Sequence, residues 1–587
     1  MIKFIETVGN IAVNLIGGFF QSLPIVGDIF VAITRWVIVV LVLLIIIRAV
    51  KSLLSDKSPS EIWAYLALDG GTNIPLTHWE NVIGRAKSSD IVLRLPPISK
   101  SHALLVRKED GRWIYTDLNS KTGSFLNNEK IQRPVEVKSG DKLTIGGLPC
   151  QIIPASLSEK LENIKIRKKT ENAMPPWKSL IALTIIQVIM TFQFIIAFGT
   201  ECPPAIPFFF GAFTLTMWVY CVLLKFMNNG AFEMEIIAFF LCTLSLAIVA
   251  TSDADQLYTQ FLAIVLGMIL YIALCWFLRD LQRALKIRIF LVFASVALLL
   301  DNIIFGITQF GSTNWIEIAG LSVQPSEVVK IAFIFIGSAT LDELYQKKNL
   351  TLFILFSGFC FVALGIMGDF GTALIFFVTF AVISFLRSGQ FSKLILLVGT
   401  AGIAGFLVLM FKPYVAERFI TWGNAWEAPD AGGYQQTRTM SATASGGMSG
   451  VGGGEGWLSY VGAADKDLVF GVIAEEWGLI VALLAILCII TFSLFAYKSI
   501  QLGRSTFYTI AACGTSTLLI FQTSLNVLGA LDIVPLTGVT FPFVSNGGTS
   551  MVACWGLLAF IKATDTRESA SMAVRKLEKE KIGGGNL

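Results

Sequence analysis

The chain has 587 residues, 54% of them hydrophobic and only 15% charged, with a mean hydropathy of +0.70. A soluble globular chain carries about 25% charged residues, so disorder, collagen-like repeats and an ordinary soluble enzyme are excluded in favour of a polytopic membrane protein. A formal net charge of +4 is too slight to argue for nucleic acid.

Nine cysteines are scattered without a CxxC pair, which supports neither a zinc site nor a disulfide framework. The two histidines, His78 and His102, both lie in one polar stretch. Chemistry in the membrane part must therefore rest on carboxylates, Lys, Arg or Tyr.

Residues 1–57 comprise an amphipathic, Gly- and Pro-containing start and an apolar run over 30–50, followed by Arg48, Lys51 and Lys57. The run is too long and starts too late for a signal peptide, and predicts an uncleaved anchor helix. Residues 60–155 hold short alternating stretches of strand length broken by Gly, Asn, Asp and Pro, which predict a small β-sandwich. Within it, HALLVRKEDGRWIYTDL reads as a hairpin turning at Asp110-Gly111. Residues 156–177 form a charged linker, helical or extended.

Residues 178–565 contain twelve apolar spans, centred near 188, 216, 241, 268, 297, 333, 359, 379, 402, 482, 517 and 553, and 566–587 form a tail. Basic residues follow alternate spans: Arg279, Arg283, Lys286 and Arg288; Lys347 and Lys348; Arg387 and Lys393; Lys498 and Arg504. The chain ends with Lys562, Arg567, Arg575 and Lys576. The connections 252–256, 306–323 and 530–547 hold no Lys or Arg. By the positive-inside rule the sandwich and C-terminus are cytoplasmic, and the N-terminus and the long loop 412–466 lie outside.

Three motifs in order, GRAKSSDIVL, ISKSHALL and DLNSKTGSFLNN, resemble the signature of a forkhead-associated (FHA) domain. Loops at one end of such a sandwich bring together Arg85, Ser99, Lys100, Ser120 and Thr122, a set of cationic and hydroxyl donors suited to a dianionic phosphate. The resemblance implies phosphothreonine binding by Arg85 and Ser99, with His102 and Asn127 holding the loops. Thr122 stands where the family usually has the Asn that contacts the peptide backbone, which makes a degenerate contact domain the alternative. The implied partner is a phosphothreonine-containing protein or a Ser/Thr kinase.

Polar groups at lipid depth cost ~2.5–3.5 kcal/mol each on insertion scales, so they mark functional candidates. Four clusters stand out: QPSEVVK with Glu327 and Lys330, GDFGTA with Asp369, the loop 412–466, and the Gly- and Pro-broken NVLGALDIVPLTGVTFPFVSNGGTS. Glu327 and Lys330 are spaced to pair on one helix, and read as a buried structural pair ahead of substrate ligands. The glycines of 446–456 are either part of the site or a flexible loop.

In this order the motifs resemble the SEDS family of RodA and FtsW proteins over about residues 306–562. The expected fold is therefore an all-α membrane bundle of about twelve spans, preceded by one anchor helix and a cytoplasmic all-β FHA sandwich. The resemblance implies a peptidoglycan glycosyltransferase that polymerises lipid II into glycan strands beside a class B penicillin-binding transpeptidase. The family's catalytic Asp falls in a T-D-F-I-F-A motif, matched here by Lys466-Asp467-Leu468-Val469-Phe470-Gly471, so that role passes to Asp467. Lys466, Gly368 and Asn314 depart from the family pattern, and residues 178–290 include an extra pair of spans.

Transfer to a GlcNAc 4-hydroxyl needs a general base, and departure of undecaprenyl pyrophosphate needs positive charge. Outward candidates for that charge are Lys412, Arg418 and Arg438, with Glu327, Lys330, Asp369 and Ser545 as further substrate contacts. No ligand spacing demonstrates a metal, and a divalent cation (Mg or Mn) stays an open alternative. Asp465 is a candidate helix cap. Glu475 stands ~12 Å from Asp467 along a helix, too far to share its proton. The rival functions are a lipid II flippase, for which no inverted repeat is found, and an inactive scaffold docking phosphoproteins.

Overall fold

In lipid a long apolar run can satisfy its backbone only as a helix, and the computed structural model places one on each of the twelve span centres. It describes residues 2–565 apart from 56–60, 70, 88, 109–110, most of 157–173, 228–229, 310–311, 319–320, 342–346, 389–390 and 502–504. The predicted linker is thus only partly described, and the tail 566–587 lies outside the described residues. So do the side chains of Lys57, Lys347, Lys348, Arg387, Lys393, Arg504, Arg567, Arg575 and Lys576.

Two N-terminal helices, α1 (Ile2–Ser22) and α2 (Pro24–Ser55), meet at Leu23. The anchor therefore starts at Pro24, before the apolar run, because Pro supplies a ready first-turn residue with no amide hydrogen to lose. The bundle continues with α3 (Trp177–Phe198), α4 (Ala205–Phe226), α5 (Glu233–Ser252), α6 (Leu257–Phe277), α7 (Leu281–Phe305), α8 (Pro325–Leu341), α9 (Lys347–Met367), α10 (Phe370–Ser388) and α11 (Phe391–Phe411). The last three long helices are α16 (Leu479–Gln501), α17 (Thr506–Ala530) and α18 (Gly548–Ala563), after four short ones described below.

Among the described residues, nine helices are long and apolar enough to cross a membrane, counting α2. Thr351–Met367, Phe370–Leu386 and Gly548–Ala563 are shorter apolar helices. α5 is the central helix, with 94% of its apolar window buried, whereas the window of α11 is wholly unburied by protein.

Two predicted connections are built segments instead. Residues 306–323 carry an antiparallel sheet of β12 (Ile307–Gln309), β13 (Ser312–Ile318) and β14 (Leu321–Val323). The segment 412–466 contains α12 (Pro413–Thr421), α13 (Tyr434–Gly446) and α14 (Ala464–Asp467), and α15 (Val469–Glu476) follows. Apart from Gly447, the glycines of 446–456 are packed, which removes the flexible-loop alternative: a Cβ at Gly446 would stand 2.2 Å from the Ala474 carbonyl oxygen, and one at Gly450 2.2 Å from that of Glu476.

The polar domain is a two-sheet sandwich with its own core, including Leu66, Ile83, Leu105, Tyr115 and Ile152. Its strands are β1 (Ala64–Leu68), β2 (Asn73–Leu76), β3 (Glu80–Gly84), β4 (Ile91–Val92), β5 (Ala103–Arg107), β6 (Trp113–Asp117), β7 (Ser124–Leu126), β8 (Glu129–Lys130), β9 (Val135–Val137), β10 (Leu143–Ile145) and β11 (Leu148–Pro154). One sheet has the order β2-β1-β11-β10-β7-β8 and the other β4-β3-β5-β6-β9. The predicted hairpin is the antiparallel β5–β6 pair, with Leu105 opposite Tyr115.

Contacts fix which end of the bundle meets the sandwich. Thr506, at the start of α17, donates a hydrogen bond to Glu80 at the start of β3, and Trp79 packs on the membrane core. Near the same end, the Lys498 ammonium reaches the Leu53 carbonyl, and Ser52 Oγ donates to Glu233 at 2.7 Å. Lys562, on the last turn of α18, pairs with Glu235 at 3.2 Å. A helix of the length of α17 spans roughly 37 Å at ~1.5 Å per residue, so its other end, and the short helices 413–476, lie at the opposite end. α1 is at that opposite end too, since Gly17 abuts Gly199 just past α3.

Candidate functional site

The segment Asp465–Asp467 forms most of the single turn α14, entered through Ala463 in the left-handed region at φ 62°. The Asp467 amide donates back to the Ala463 carbonyl at 2.9 Å. Leu468 then breaks the helix before α15. Three successive carbonyls of this turn are each held from outside. The Asn546 amide donates to Asp465 O at 2.8 Å, Ser545 Oγ to Lys466 O at 2.6 Å, and Asn526 Nδ2 to Asp467 O at 3.0 Å. Asn526 also donates to Val539 O at 2.8 Å, so one amide ties α17, the broken segment and the turn.

With its backbone pinned, the Asp467 side chain is half-buried and makes no hydrogen bond or ion pair among the described residues. The backbone of Gly538 lies beside it, and a Cβ there would stand 3.5 Å from Oδ2. Burial raises the Asp467 pKa to about 6, although Arg418 and Lys466 pull it down; Asp465 pushes it up. A carboxylate free of donors, with a pKa near neutrality, can accept a proton from a substrate hydroxyl.

Neither acid of the turn caps α15, whose N-terminus takes no side-chain hydrogen bond. Asp465 instead accepts from Asn546 Nδ2 at 2.6 Å, which corrects its expected capping role. Glu475 caps a different element, accepting from the Trp457 and Leu458 amides at 3.1 and 3.0 Å.

The expected substrate contacts separate into groups. Arg418, on α12, is exposed, donates from Nη1 to Leu536 O at 3.0 Å, and acts on Asp467 electrostatically. Lys412 and Arg438 are not among the charges that act on Asp467. Lys412 is exposed at the entry to α12, and Arg438 pairs with Asp430 at 3.2 Å and lies over the Tyr434 ring. Lys466 joins the site: its ammonium stands 6.0 Å from the centroid of the Trp315 ring, on β13.

Glu327 and Lys330 are buried and paired at 2.7 Å. Lys330 also donates to Gln522 Oε1 at 3.0 Å, and Gln522 Nε2 to the Thr540 carbonyl at 2.9 Å. They brace α8 against α17 and the broken segment. Asp369 is buried, accepts from the Thr372 amide at 3.0 Å, and keeps Oδ2 without a partner among the described residues. The Ser545 hydroxyl is spent internally, since it also accepts from the Phe541 amide at 2.8 Å. Among the described residues, no three His, Cys, Asp or Glu stand together as a metal-holding group.

Sequence reasoning missed Asn526, Asn546, Gly538 and Trp315 as parts of this site. The first three lie in the quoted broken segment, where only tertiary contact distinguishes a brace from a ligand.

At the far end of the sandwich, Gly84 is required because a Cβ would stand 2.1 Å from the Lys100 carbonyl oxygen. Arg85 follows it and is exposed, and its amide donates to the Ser99 carbonyl at 2.9 Å. Ser99 Oγ accepts from the Lys121 amide at 3.0 Å, which leaves its hydroxyl hydrogen to donate. Lys100 is exposed beside it. Ser120 and Thr122 instead brace their loops, with Ser120 Oγ donating to Asp117 at 2.8 Å and Thr122 Oγ1 to the Pro97 carbonyl at 2.8 Å.

His102 is fully buried, accepts from the Ser99 amide at 3.2 Å, and has its pKa lowered by burial. Asp117, 3.8 Å from its Nε2, opposes that shift. Asn127 accepts from the Lys142 amide at 2.9 Å. Both residues hold loops.

Residues 230–570 match the family model described as cell cycle protein, FtsW/RodA/SpoVE, and residues 81–146 match the FHA domain. The chain is similar to "Probable peptidoglycan glycosyltransferase FtsW" of Borreliella burgdorferi, with 30% identity covering 43% of this chain and 71% of that protein. It is similar to the stage V sporulation protein E of Bacillus subtilis, with 30% identity over 47% of this chain and 76% of the relative. A chain of a solved peptidoglycan synthase complex superposes with a TM-score of 0.48 and 22% identity, covering 57% of this chain and 98% of that one.

Proposed function

Because the chain belongs to the cell-cycle protein family of FtsW, RodA and SpoVE and carries an FHA domain, we propose that it is a peptidoglycan glycosyltransferase of the membrane whose general base is Asp467. The observation that carries the assignment of the base is the Asp467 carboxylate itself. Its backbone is held by Asn526, its neighbours by Ser545 and Asn546, and its side chain is left without a donor. The substrate is lipid II, an undecaprenyl-pyrophosphate-linked disaccharide pentapeptide. Asp467 takes the proton of the acceptor GlcNAc 4-hydroxyl as that oxygen attacks the anomeric carbon of the donor. The bond to pyrophosphate breaks with inversion, and the electron pair leaves with the phosphate.

Arg418 and Lys466 supply positive charge beside this carboxylate, where it favours the departing pyrophosphate. Arg418 keeps four guanidinium hydrogens beyond the one given to Leu536. Lys412, Arg438 and Asp369 remain candidates for outlying parts of the lipid-linked sugar. Glu327, Lys330 and Ser545 act through the braces they form. The FHA domain reads a phosphothreonine through Arg85, Ser99 and Lys100 from the cytoplasm, and a class B penicillin-binding transpeptidase crosslinks the product outside.

Purified protein given lipid II tests the base. Asp467→Asn should abolish nearly all glycan polymerisation without changing the unfolding temperature. Asp465→Asn, which keeps an oxygen for Asn546, should stay near wild type. Activity in the first variant, or equal loss in both, removes Asp467 from the mechanism.

A further inference from the structure

The family model begins at residue 230, so α2 and α3 lie outside the region it describes. Yet both grip the glycine-rich segment that precedes the catalytic turn. Arg35, on α2, donates from Nη1 to the Gly450 carbonyl. Gln193, on α3 and buried, accepts from the Gly453 amide at 3.2 Å and donates to Thr34 of α2 at 2.9 Å. A Cβ on Gly452 would stand 3.0 Å from Val31 Cγ1, and one on Gly454 3.2 Å from Ala197 Cβ. The contact is therefore close along the whole segment.

The other side of that segment is zipped to the junction of α15 and α16. The Val451 and Gly452 amides donate to the carbonyls of Glu475 and Glu476, each at 2.9 Å, and the Leu479 amide to Gly447 O at 3.0 Å. Asp467 stands two residues before α15, so the seat of α15, together with the braces from Asn526, Ser545 and Asn546, sets the carboxylate. An arginine in an apolar anchor is costly, and among the described residues no carboxylate pairs with Arg35. It donates instead to the backbone carbonyls of Val31 and Gly450.

We infer that Arg35 and Gln193 are positioning residues for glycan polymerisation: through the segment Gly446–Gly453 they hold α15, and with it Asp467, in register with the lipid-linked substrate. The inference rests on Asp467 being the base. It also gives the N-terminal helices a task in the reaction beyond anchoring, and α2 is the helix that leads from this contact into the FHA domain.

The test compares kcat and KM for lipid II in the purified full chain. Arg35→Ala and Gln193→Ala should each lower kcat about tenfold or more, since small displacements far from the reacting atoms have effects of that size. KM should stay within about twofold, because a lost transition-state interaction lowers kcat and leaves ground-state binding. Unfolding temperatures should not move, and Arg35→Lys, which keeps a donor for Gly450, should recover most of kcat. If Arg35→Ala fails to fold, Gln193→Ala decides, because it removes two neutral hydrogen bonds and no charge. Wild-type kcat in both alanine variants, with Asp467→Asn inactive, overturns the positioning role and leaves the base assignment standing. A matched fall in kcat and unfolding temperature without rescue by lysine overturns it as well. An active Asp467→Asn overturns both.

Discussion

The surroundings of Asp467 act on its backbone and leave its side chain without a donor, which is what a general base there requires. Asn526, Ser545 and Asn546 spend their donors on carbonyls and on Asp465, so the Asp467 carboxylate pays the desolvation cost of burial without the compensating hydrogen bonds that normally lower a carboxylate pKa. Its value of about 6 has a direct consequence. The base is active when deprotonated, so kcat should fall as pH drops through about 6 and level off above it. Arg418 pulls this pKa down, and Arg418→Ala should move the acidic limb to higher pH while also reducing the plateau. Because Arg418 is exposed, the displacement should shrink as salt is added. A pH–rate profile of purified protein at two ionic strengths measures all three effects, and a limb that moves to lower pH in Arg418→Ala contradicts the arrangement.

At the scale of elements, close backbone approach recurs wherever a functional segment is seated. Gly446 and Gly450 let the segment 446–453 lie against residues 474–478, and Gly84 lets the loop bearing Arg85 lie against Lys100. In the sandwich the result is a rim with Arg85 and Lys100 exposed and Ser99 partly so, while Ser120, Thr122 and the buried His102 hold the loops by hydrogen bonds. Charge-assisted contacts to a phosphate are the strong ones. Arg85→Ala should therefore weaken binding of a phosphothreonine peptide at least about tenfold, the equivalent of ~1.4 kcal/mol. Calorimetric titration of the full chain with phosphorylated and unphosphorylated peptides checks this. Equal affinity for the two forms, or no effect of Arg85→Ala, would mean that the sandwich is a contact domain only.

Across the whole molecule, the sandwich and the Asp467 turn occupy opposite ends of one helical bundle, and α2 runs from one to the other. α1 lies at the Asp467 end and the last turn of α18 at the sandwich end. The positive-inside rule puts the basic connections in the cytoplasm, and the proposed reaction then requires the acceptor sugar to meet Asp467 from outside. Ser445→Cys should therefore react with an impermeant thiol reagent on intact cells, and Ser571→Cys only after permeabilisation. The reverse pattern would invert the molecule and remove the enzyme reading with it.

Much of this was legible in the chain itself, because lipid imposes a one-dimensional constraint. Every apolar run long enough to span must be helical, so all twelve centres coincide with helices. Period-two alternation likewise defined the paired strands of the hairpin, since a one-residue slip would turn its core residues outward; Asp110 of its predicted turn lies outside the described residues. The order of motifs identified the family and pointed to Asp467. Undecided by sequence was which polar residues face substrate and which hold the scaffold. By chemistry alone Ser545 is a candidate ligand, and Glu327 with Lys330 are either a buried structural pair or substrate ligands; the structure engages Ser545 with Lys466, and Lys330 with Glu327 and Gln522. The glycines of 446–456 read equally as a flexible loop, and the grip of Arg35 and Gln193 on them joins residues over four hundred and over two hundred and fifty positions apart. Hydrogen-bond partners at such separations are selected by the packed geometry of several helices at once, and no local periodicity records them.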